Sequence, residues 1–114
     1  MQRVPVAIPS TQLGTAVTTI YTASTGITAS TIGNMSFSNT SGTSVAFTAY
    51  NVPSGGTAGA ANEVVPTFTL SPGQSHVPPQ LIGLSIAAGS SIQASATTAS
   101  VVNAQGGAYE TSGS

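Results

Sequence analysis

Residues 27–52, ITASTIGNMSFSNTSGTSVAFTAYNV, hold two alternating segments separated by a run of turn-forming residues. Apolar residues share one parity within each segment: Ile27, Met35 and Phe37 in the first, and Val45, Phe47 and Ala49 in the second. Alternation with a period of two is typical of half-buried β-strands. The intervening NTSG at 39–42 favours a turn. We therefore predict two strands here, joined as a β-hairpin.

The same alternation continues on both sides of this stretch. It predicts further strands at 16–22, at 63–70, around 81–89, and as a last pair at 91–98 and 100–110. Ile32 breaks the parity beside Gly33, which predicts a β-bulge there. Pro66 cannot donate to a strand ladder, so the strand that contains it is expected at a sheet edge. The segment 53–62, PSGGTAGAAN, shows no periodicity and predicts a loop between the two halves of the chain.

About eight short strands separated by turn signals, with no apolar pattern at helical spacing, indicate an all-β protein. We expect an antiparallel two-sheet β-sandwich, jelly-roll or immunoglobulin-like, and the strand spacing leaves both topologies open. The predicted domains are an extended N-terminal arm at 1–14, a single β-sandwich domain at 15–110 and a short C-terminal tail at 111–114. Pro5 and Pro9 make the arm extended, suited to an edge strand or to lying on a neighbouring protein.

Charge is scarce in this chain: Arg3, Glu63 and Glu110 carry the only formal charges, and the net charge is -1. Binding to nucleic acid needs several basic residues to displace counterions from phosphates, so we expect no nucleic-acid partner. A basic membrane-binding face is excluded for the same reason, and no apolar run has the length of a membrane span. The N-terminus does not have the pattern of a signal peptide, which predicts synthesis and folding in a cytoplasm.

Residues suited to catalysis are equally scarce, and we predict that the chain is not an enzyme. It contains one His and no Cys, so His76 and two Glu are the only strong metal ligands, too few for the usual zinc site. Glu63 and Glu110 would serve glycoside hydrolysis only if they met at roughly 5–10 Å. A Ser–His76–Glu triad lacks the strand–turn–helix context that positions such a serine. We predict no catalytic residue, no metal and no cofactor.

The candidate functional residues are therefore those suited to contact with other proteins. Tyrosines are enriched at buried contacts between proteins, and the extended arm offers apolar side chains and one charge. The predicted interface residues are Arg3, Val4, Pro5, Val6, Ile8, Tyr21, Tyr50 and Tyr109.

The order of segments resembles that of small virion structural proteins of tailed bacteriophages, of the capsid decoration or cement type. In the first half, TTIYTASTGITASTIGNMSFSNTSGTSVAFTAYNVPSGG at 18–56 is similar to their strand, Asn-Thr-Ser-Gly turn, strand and Gly-rich loop. In the second half, LSPGQSHVPPQLIGLSIAAGSSIQASATTASVVN at 70–103 is similar to their ending. The resemblance covers roughly residues 16–108 and consists of turns and small residues. It implies a β-sandwich and brings no catalytic residues.

This resemblance implies a protein that decorates or cements a capsid shell by multivalent packing between subunits. Its partners would be the major capsid protein and copies of itself, as a homo-oligomer for which a trimer is one option. It would be located in the virion, after assembly in the host cytoplasm. The alternative is a tail or fibre component that binds a host surface, and a small hydrolase is the disfavoured third hypothesis.

Overall fold

The structure is a computed structural model that describes residues 2–24, 29–98 and 101–112, with Gln2, Arg3, Pro9, Ala60 and Ser112 described by their backbone alone. Nine strands make up this part of the chain: β1 Gln2–Gln12, β2 Thr18–Thr22, β3 Ala29–Asn39, β4 Val45–Val52, β5 Glu63–Leu70, β6 Ser75–His76, β7 Ser85–Ala87, β8 Ser91–Ala96 and β9 Val102–Ser112. A 3₁₀ turn at Ala60–Asn62 precedes β5. Within these ranges no helix is long and apolar enough to cross a membrane.

The strands form two antiparallel sheets. Sheet A has five strands in the order β1-β9-β3-β6, with β7 also paired to β3, and sheet B has four strands in the order β2-β8-β4-β5. Large apolar side chains from both sheets are fully buried between them, among them Phe37, Met35, Phe47 and Ile92. The predicted all-β, antiparallel two-sheet sandwich is confirmed, with nine strands in the described ranges where about eight were expected.

Strand pairing differs from the sequence prediction. β3 pairs with β9, β6 and β7 in sheet A, whereas β4 pairs with β5 and β8 in sheet B. The predicted hairpin over 27–52 is therefore wrong, and its first two residues lie outside the described ranges. The predicted last pair is wrong in the same way, because β8 and β9 lie in different sheets. The turn after β3 carries the chain across the sandwich, so that the Phe37 and Phe47 rings stack with their centroids 4.2 Å apart.

Asn39 holds this crossing turn in place. Its buried side-chain amide donates to the carbonyl of Thr43 at 2.7 Å and to those of Leu70 and Ser71 at 3.2 Å. Its side-chain oxygen accepts from the backbone N–H of Ser41 at 3.0 Å. Asn is favoured in turns because its side chain can bond to nearby backbone in this way. One residue thus joins the end of β3 to the start of β4 and the end of β5.

The segments predicted as arm and tail both contribute to sheet A. Most of the predicted arm forms β1, which is extended as expected and lies at the edge of the sheet, antiparallel to β9. β9 runs past residue 110, where the sandwich domain was predicted to end, and pairs Thr111 with Arg3 and Ser112 with Gln2. Ile8 extends from β1 into the core. Residues 113 and 114 lie outside the described ranges.

Gly33 and Gly106 allow β3 and β9 to pair closely at a bulge. The register shifts between Ile32 and Asn34, which confirms the bulge predicted at Gly33. Gly106 lies opposite Met35, directly beside the bulge. A Cβ atom at residue 106 would overlap the carbonyl oxygen of Asn34 and lie 2.8 Å from its carbonyl carbon. Only glycine therefore fits at this position.

We expect Gly106→Ala to lower the free energy of unfolding by about 3 kcal/mol, because the new methyl group must displace the backbone of β3. Chemical denaturation of the purified variant measures this loss. Gly107→Ala is the matched control, since its Cβ would meet nothing closer than the Val6 carbonyl oxygen at 3.6 Å. An equal effect of the two substitutions would contradict the close approach at residue 106.

Candidate interface surface

Tyr109 is the principal exposed aromatic on the outer face of sheet A. Side chains alternate along β9, so Ala108 and Glu110 are buried on the inner face while Tyr109 is 41% exposed on the outer one. Its cross-strand partners are Pro5 in β1 and Thr31 in β3. The ring lies over Gly33, where a Cβ atom would come within 3.1 Å of its Cε2. The aromatic ring thus covers the bare backbone of the bulge.

Beside this ring the outer face of sheet A contains a hollow with a volume of about 390 Å³. Its lining comes from three strands: residues 5–7 of β1, residues 33–34 of β3 and residues 107–109 of β9. Gly33 and Gly107 have no side chain and Ala7 has only a methyl group, so the sheet surface is low between the rings of Pro5 and Tyr109. No residue of this lining carries a formal charge, so the hollow suits a neutral, largely apolar occupant.

The structure brings three of the predicted interface residues together. Pro5 and Val6, from the predicted arm, and Tyr109, from the other end of the chain, border the same hollow, although the side chain of Val6 packs against the core. The hollow itself could not be derived from the sequence, because it depends on which strands pair. The only signals of the hollow in the sequence are Gly33, where a bulge was predicted, and the adjacent pair Gly106–Gly107.

The other predicted interface residues lie elsewhere. Ile8 is buried in the core, and Tyr21 is buried with its hydroxyl hydrogen-bonded inside the chain. Val4 is exposed on the opposite side of β1 from Pro5, and Tyr50 is partly exposed on sheet B opposite Gln93. The backbone of Arg3 pairs with Thr111. A role for any of these residues in contacts between copies stays a prediction.

Every sheet edge in the described ranges carries a feature that hinders strand addition. β1 contains Pro5 and Pro9, and β5 contains Pro66. β2 is five residues long and is bulged between Thr19 and Tyr21, while β6 and β7 have two and three residues. Prolines, bulges and short strands are the usual devices that prevent edge-to-edge pairing. Contacts with other chains are therefore favoured through sheet faces and loops.

A buried carboxylate lies on the inner face of β9, immediately after Tyr109. Glu110 accepts hydrogen bonds from the hydroxyl groups of Tyr21 at 2.7 Å and Ser24 at 2.9 Å. It also accepts one from the backbone N–H of Ser24 at 3.2 Å. The Tyr21 hydroxyl lies 2.6 Å from the hydroxyl of Ser30. Since the Tyr21 hydroxyl donates its hydrogen bond to Glu110, the Ser30 hydroxyl is the donor in the bond between Ser30 and Tyr21. This cluster joins β2 of sheet B to β3 and β9 of sheet A.

Burial and hydrogen bonding oppose each other at Glu110. Burial alone would raise the pKa of this carboxyl, but the hydrogen bonds from Tyr21 and Ser24 favour the ionised form and bring the pKa below its ordinary value. Burial raises the pKa of Tyr21 to about 12; the hydrogen bond to Ser30 lowers it, while the hydrogen bond to Glu110 and its negative charge raise it further. The cluster is therefore a neutral phenol bound to a carboxylate across the neutral pH range.

The two glutamates are not arranged as a catalytic pair. Glu63 is exposed at the start of β5, whereas Glu110 bonds to Tyr21 of β2. β2 and β5 are the two edges of sheet B, so three strand spacings of about 4.8 Å, or about 14 Å, separate them. His76 stacks on Phe68, with ring centroids 4.0 Å apart, and closes the gap between β6 and β5. Across the described ranges, no three His or acidic side chains group as metal ligands.

Comparison with solved structures shows likeness to subunits of two kinds of particle. A subunit of Bacillus endospore appendages, described as disulfide-linked pili, matches with a TM-score of 0.56 at 13% identity, over 99% of this chain and 88% of that one. A chain of infectious bursal disease virus, Gx strain, matches with a TM-score of 0.56 at 20% identity, over 98% of this chain and 33% of that one. A chain of the T13 particle of the same virus matches with a TM-score of 0.51 at 12% identity, over 96% and 30%.

At these identities the likeness shows a shared fold. This chain spans about a third of the two viral chains and most of the appendage subunit. No family model matches the sequence, and no curated protein matches it.

We expect Glu110→Gln to lower the free energy of unfolding by about 1–3 kcal/mol at neutral pH, because hydrogen bonds to a charged acceptor are lost. In the natural protein the folded-state pKa of Glu110 lies below the ordinary 4.5. The contribution of its carboxylate to the free energy of unfolding is therefore complete above pH 4.5 and disappears as the pH falls through the folded-state pKa. Denaturation curves from pH 7 to about pH 3 measure this. Glu63→Gln, at an exposed position, is the control. A variant with the same acid sensitivity as the natural protein would contradict this role.

Tyr21→Phe tests the alkaline side of the same cluster. Because the folded-state pKa of Tyr21 is about 12, against 10.0 for the free side chain, its contribution to stability is complete below pH 10 and is lost as the pH rises toward 12. We expect the phenylalanine variant to be less stable at pH 7 but to lose less stability between pH 10 and 12. Parallel stability curves for the two proteins over that interval would show that Tyr21 is not the group responsible.

Proposed function

We propose that this protein is a structural subunit that decorates or cements the capsid shell of a tailed bacteriophage, present in many copies and held by packing between subunits. The observation that carries the proposal is the strand order, β1-β9-β3-β6 facing β2-β8-β4-β5. We interpret this interleaved order as a jelly roll, an architecture that recurs in viral capsid domains. The likeness of nearly the whole chain to parts of viral particle proteins supports the same interpretation.

The surface chemistry supports assembly through neutral contacts. Glu110 is used inside the chain, which leaves Glu63 and Arg3 as the remaining formal charges. The protected sheet edges disfavour strand addition, so the faces and loops of the sandwich are left for contact. The chain also has no cysteine, so its copies cannot be joined by disulfides as in the Bacillus appendages. Many weak, noncovalent contacts would act together on a repeating shell.

A filament or tail component that contacts a host surface is the second candidate. The appendage likeness favours it, because this chain covers 88% of that pilus subunit but only about a third of the viral chains. A subunit of similar size and fold thus occurs in a pilus. The two candidates differ in where the copies lie, evenly over a shell or along a fibre.

Gold-labelled antibodies against the chain, applied to particles purified from infected cultures of the source, distinguish these candidates. We expect label spread over the whole capsid shell. Label confined to the tail or to free filaments would replace the first candidate by the second, and absence of label from every particle and filament would contradict both.

The isolated protein offers an independent check. We expect it to self-associate with concentration, with a sedimentation profile that is nearly unchanged between about 0.05 M and 1 M salt, because screening affects only charged contacts. Dissociation at high salt would show that the few charges hold the copies together. A protein that stays monomeric at the highest attainable concentration would count against assembly through its own surface.

A further inference from the structure

Residues 2–8 of β1, which we call the edge segment, are held in place mainly by pairing with β9. In the described part of the chain β1 ends the strand order of sheet A and pairs with β9 alone. Among the described side chains of the edge segment, only Ile8 is buried in the core, and Val6 packs partly against it. The exposed ones are Val4, Pro5 and Ala7. A unit that buries so little apolar surface opens locally more readily than the core.

An irregularity in β1 separates the edge segment from a firmly held continuation. The register against β9 shifts between Ile8 and Thr11, so residues 9–10 lie within the irregularity. Soon afterwards Leu13 is fully buried, and its backbone N–H donates to the carbonyl of Val102 at 2.9 Å. The chain is thus fixed at Leu13 and irregular at residues 9–10, which places a hinge at the end of the edge segment.

Pro5 and Pro9 keep the edge segment extended even when it is detached. The proline ring fixes φ, and it also biases the residue before it toward an extended conformation. A segment that is already restricted to its bound shape loses little conformational entropy when it pairs with a strand. The two prolines therefore make the edge segment suited to leaving one β9 strand and pairing with another.

The partner surface for the edge segment is visible in the structure, because its own β9 already binds it. Pairing runs in one register from Gln2 opposite Ser112 to Ile8 opposite Gly106. Another copy has the same β9 and forms the same pairs, so exchange between copies requires no new complementary surface. The prolines of β1 hinder the addition of a further strand outside it. They do not hinder replacement of the edge segment by the identical segment of another copy.

We propose that copies of this protein exchange their edge segments, so that residues 2–8 of one copy pair with residues 106–112 of another. The chain opens at the hinge at residues 9–10, and the remainder of the sandwich keeps its structure. This inference rests on the proposed function as a many-copy structural subunit and identifies the segment that joins the copies. Reciprocal exchange closes a dimer, whereas exchange from each copy to the next gives a ring or an open array. Backbone pairing and burial of Ile8 hold each link, so the link is insensitive to salt.

The absence of cysteine from the natural chain allows a direct test by disulfide trapping. Arg3 and Thr111 are paired between β1 and β9, and the Cα atoms of paired residues are close enough for a disulfide. The single variants Arg3→Cys and Thr111→Cys, carrying different tags, are mixed, incubated and mildly oxidised. We expect the mixed disulfide to form about tenfold faster than between Arg3→Cys and Gln105→Cys, because exchange raises the effective concentration of the two thiols.

Gln105→Cys is the matched control because it lies on β9 but about 20 Å along the strand from Thr111. Gln105 is exposed, whereas Thr111 is only partly exposed, so random collision would favour the control. Equal rates for the two mixtures, or a faster control, would overturn the proposal.

A disulfide within one chain provides a second measurement. The double variant Arg3→Cys/Thr111→Cys, oxidised at high dilution, ties the edge segment to its own β9. By sedimentation we expect the oxidised protein to self-associate about tenfold more weakly than the reduced one, because fewer chains are able to open. Ser36→Cys/Gln105→Cys is the matched control, since its disulfide joins β3 to β9 and leaves the edge segment free to exchange. Equal association of the oxidised and reduced forms of the first variant would contradict the exchange.

The outcomes separate this inference from the proposed function. If the natural protein associates but the oxidised double variant associates equally well, the exchange is wrong and the structural role stands. Antibody label on particles, without faster trapping of Arg3→Cys by Thr111→Cys, has the same meaning. If the natural protein neither associates nor labels any particle or filament, the proposed function fails, and this inference fails with it.

Discussion

The scarcity of charge constrains this protein more than any other feature. β-Sandwiches commonly protect their open edges with lysine or inward-pointing charges, and a chain with one basic and two acidic residues has almost none to use. Prolines protect the edges formed by β1 and β5, and a bulge protects the edge formed by β2. β6 and β7 are protected because they are only two and three residues long. These devices leave the sheet faces and the loops between strands as the surfaces for contact.

The same constraint explains the importance of Glu110. A carboxylate buried between two sheets needs donors, and the chain supplies neutral hydroxyl groups in place of a cation. Tyr21 and Ser24 come from the β2 side and Ser30 from β3, so the charge is solvated only when both sheets are in place. The cluster therefore depends on the tertiary arrangement of the sandwich, and it lies on the same strand as the hollow. Tyr109 faces outward and Glu110 inward, so fixing one residue helps to fix the other.

Alternation along the chain predicted strands and faces but not partners. The parity of Met35 and Phe37, and of Val45 and Phe47, correctly placed these side chains inward, and the disrupted parity at Ile32 correctly indicated the bulge. The same pattern is satisfied whether two successive strands pair side by side or face each other across the core. The hairpin over 27–52 was wrong for that reason. A turn long enough to cross between sheets, held by Asn39, is the deciding feature, and its side-chain bonds to Leu70 and Ser71 are long-range contacts that no local pattern reveals.

Val102 and Ala104 point inward, and the same parity along β9 reaches Glu110, so the sequence contained a signal for the burial of Glu110. It contained no signal for the hydrogen-bond partners of Glu110. The hollow is less predictable still, because it requires Gly33, Gly107 and Ala7 to fall side by side in three strands that are distant in sequence. Glycine at 106 and 107 serves two purposes there: residue 106 admits the bulge of β3, and residue 107 leaves the outer surface low. A requirement of strand pairing thereby creates a concave surface without formal charge beside an exposed tyrosine.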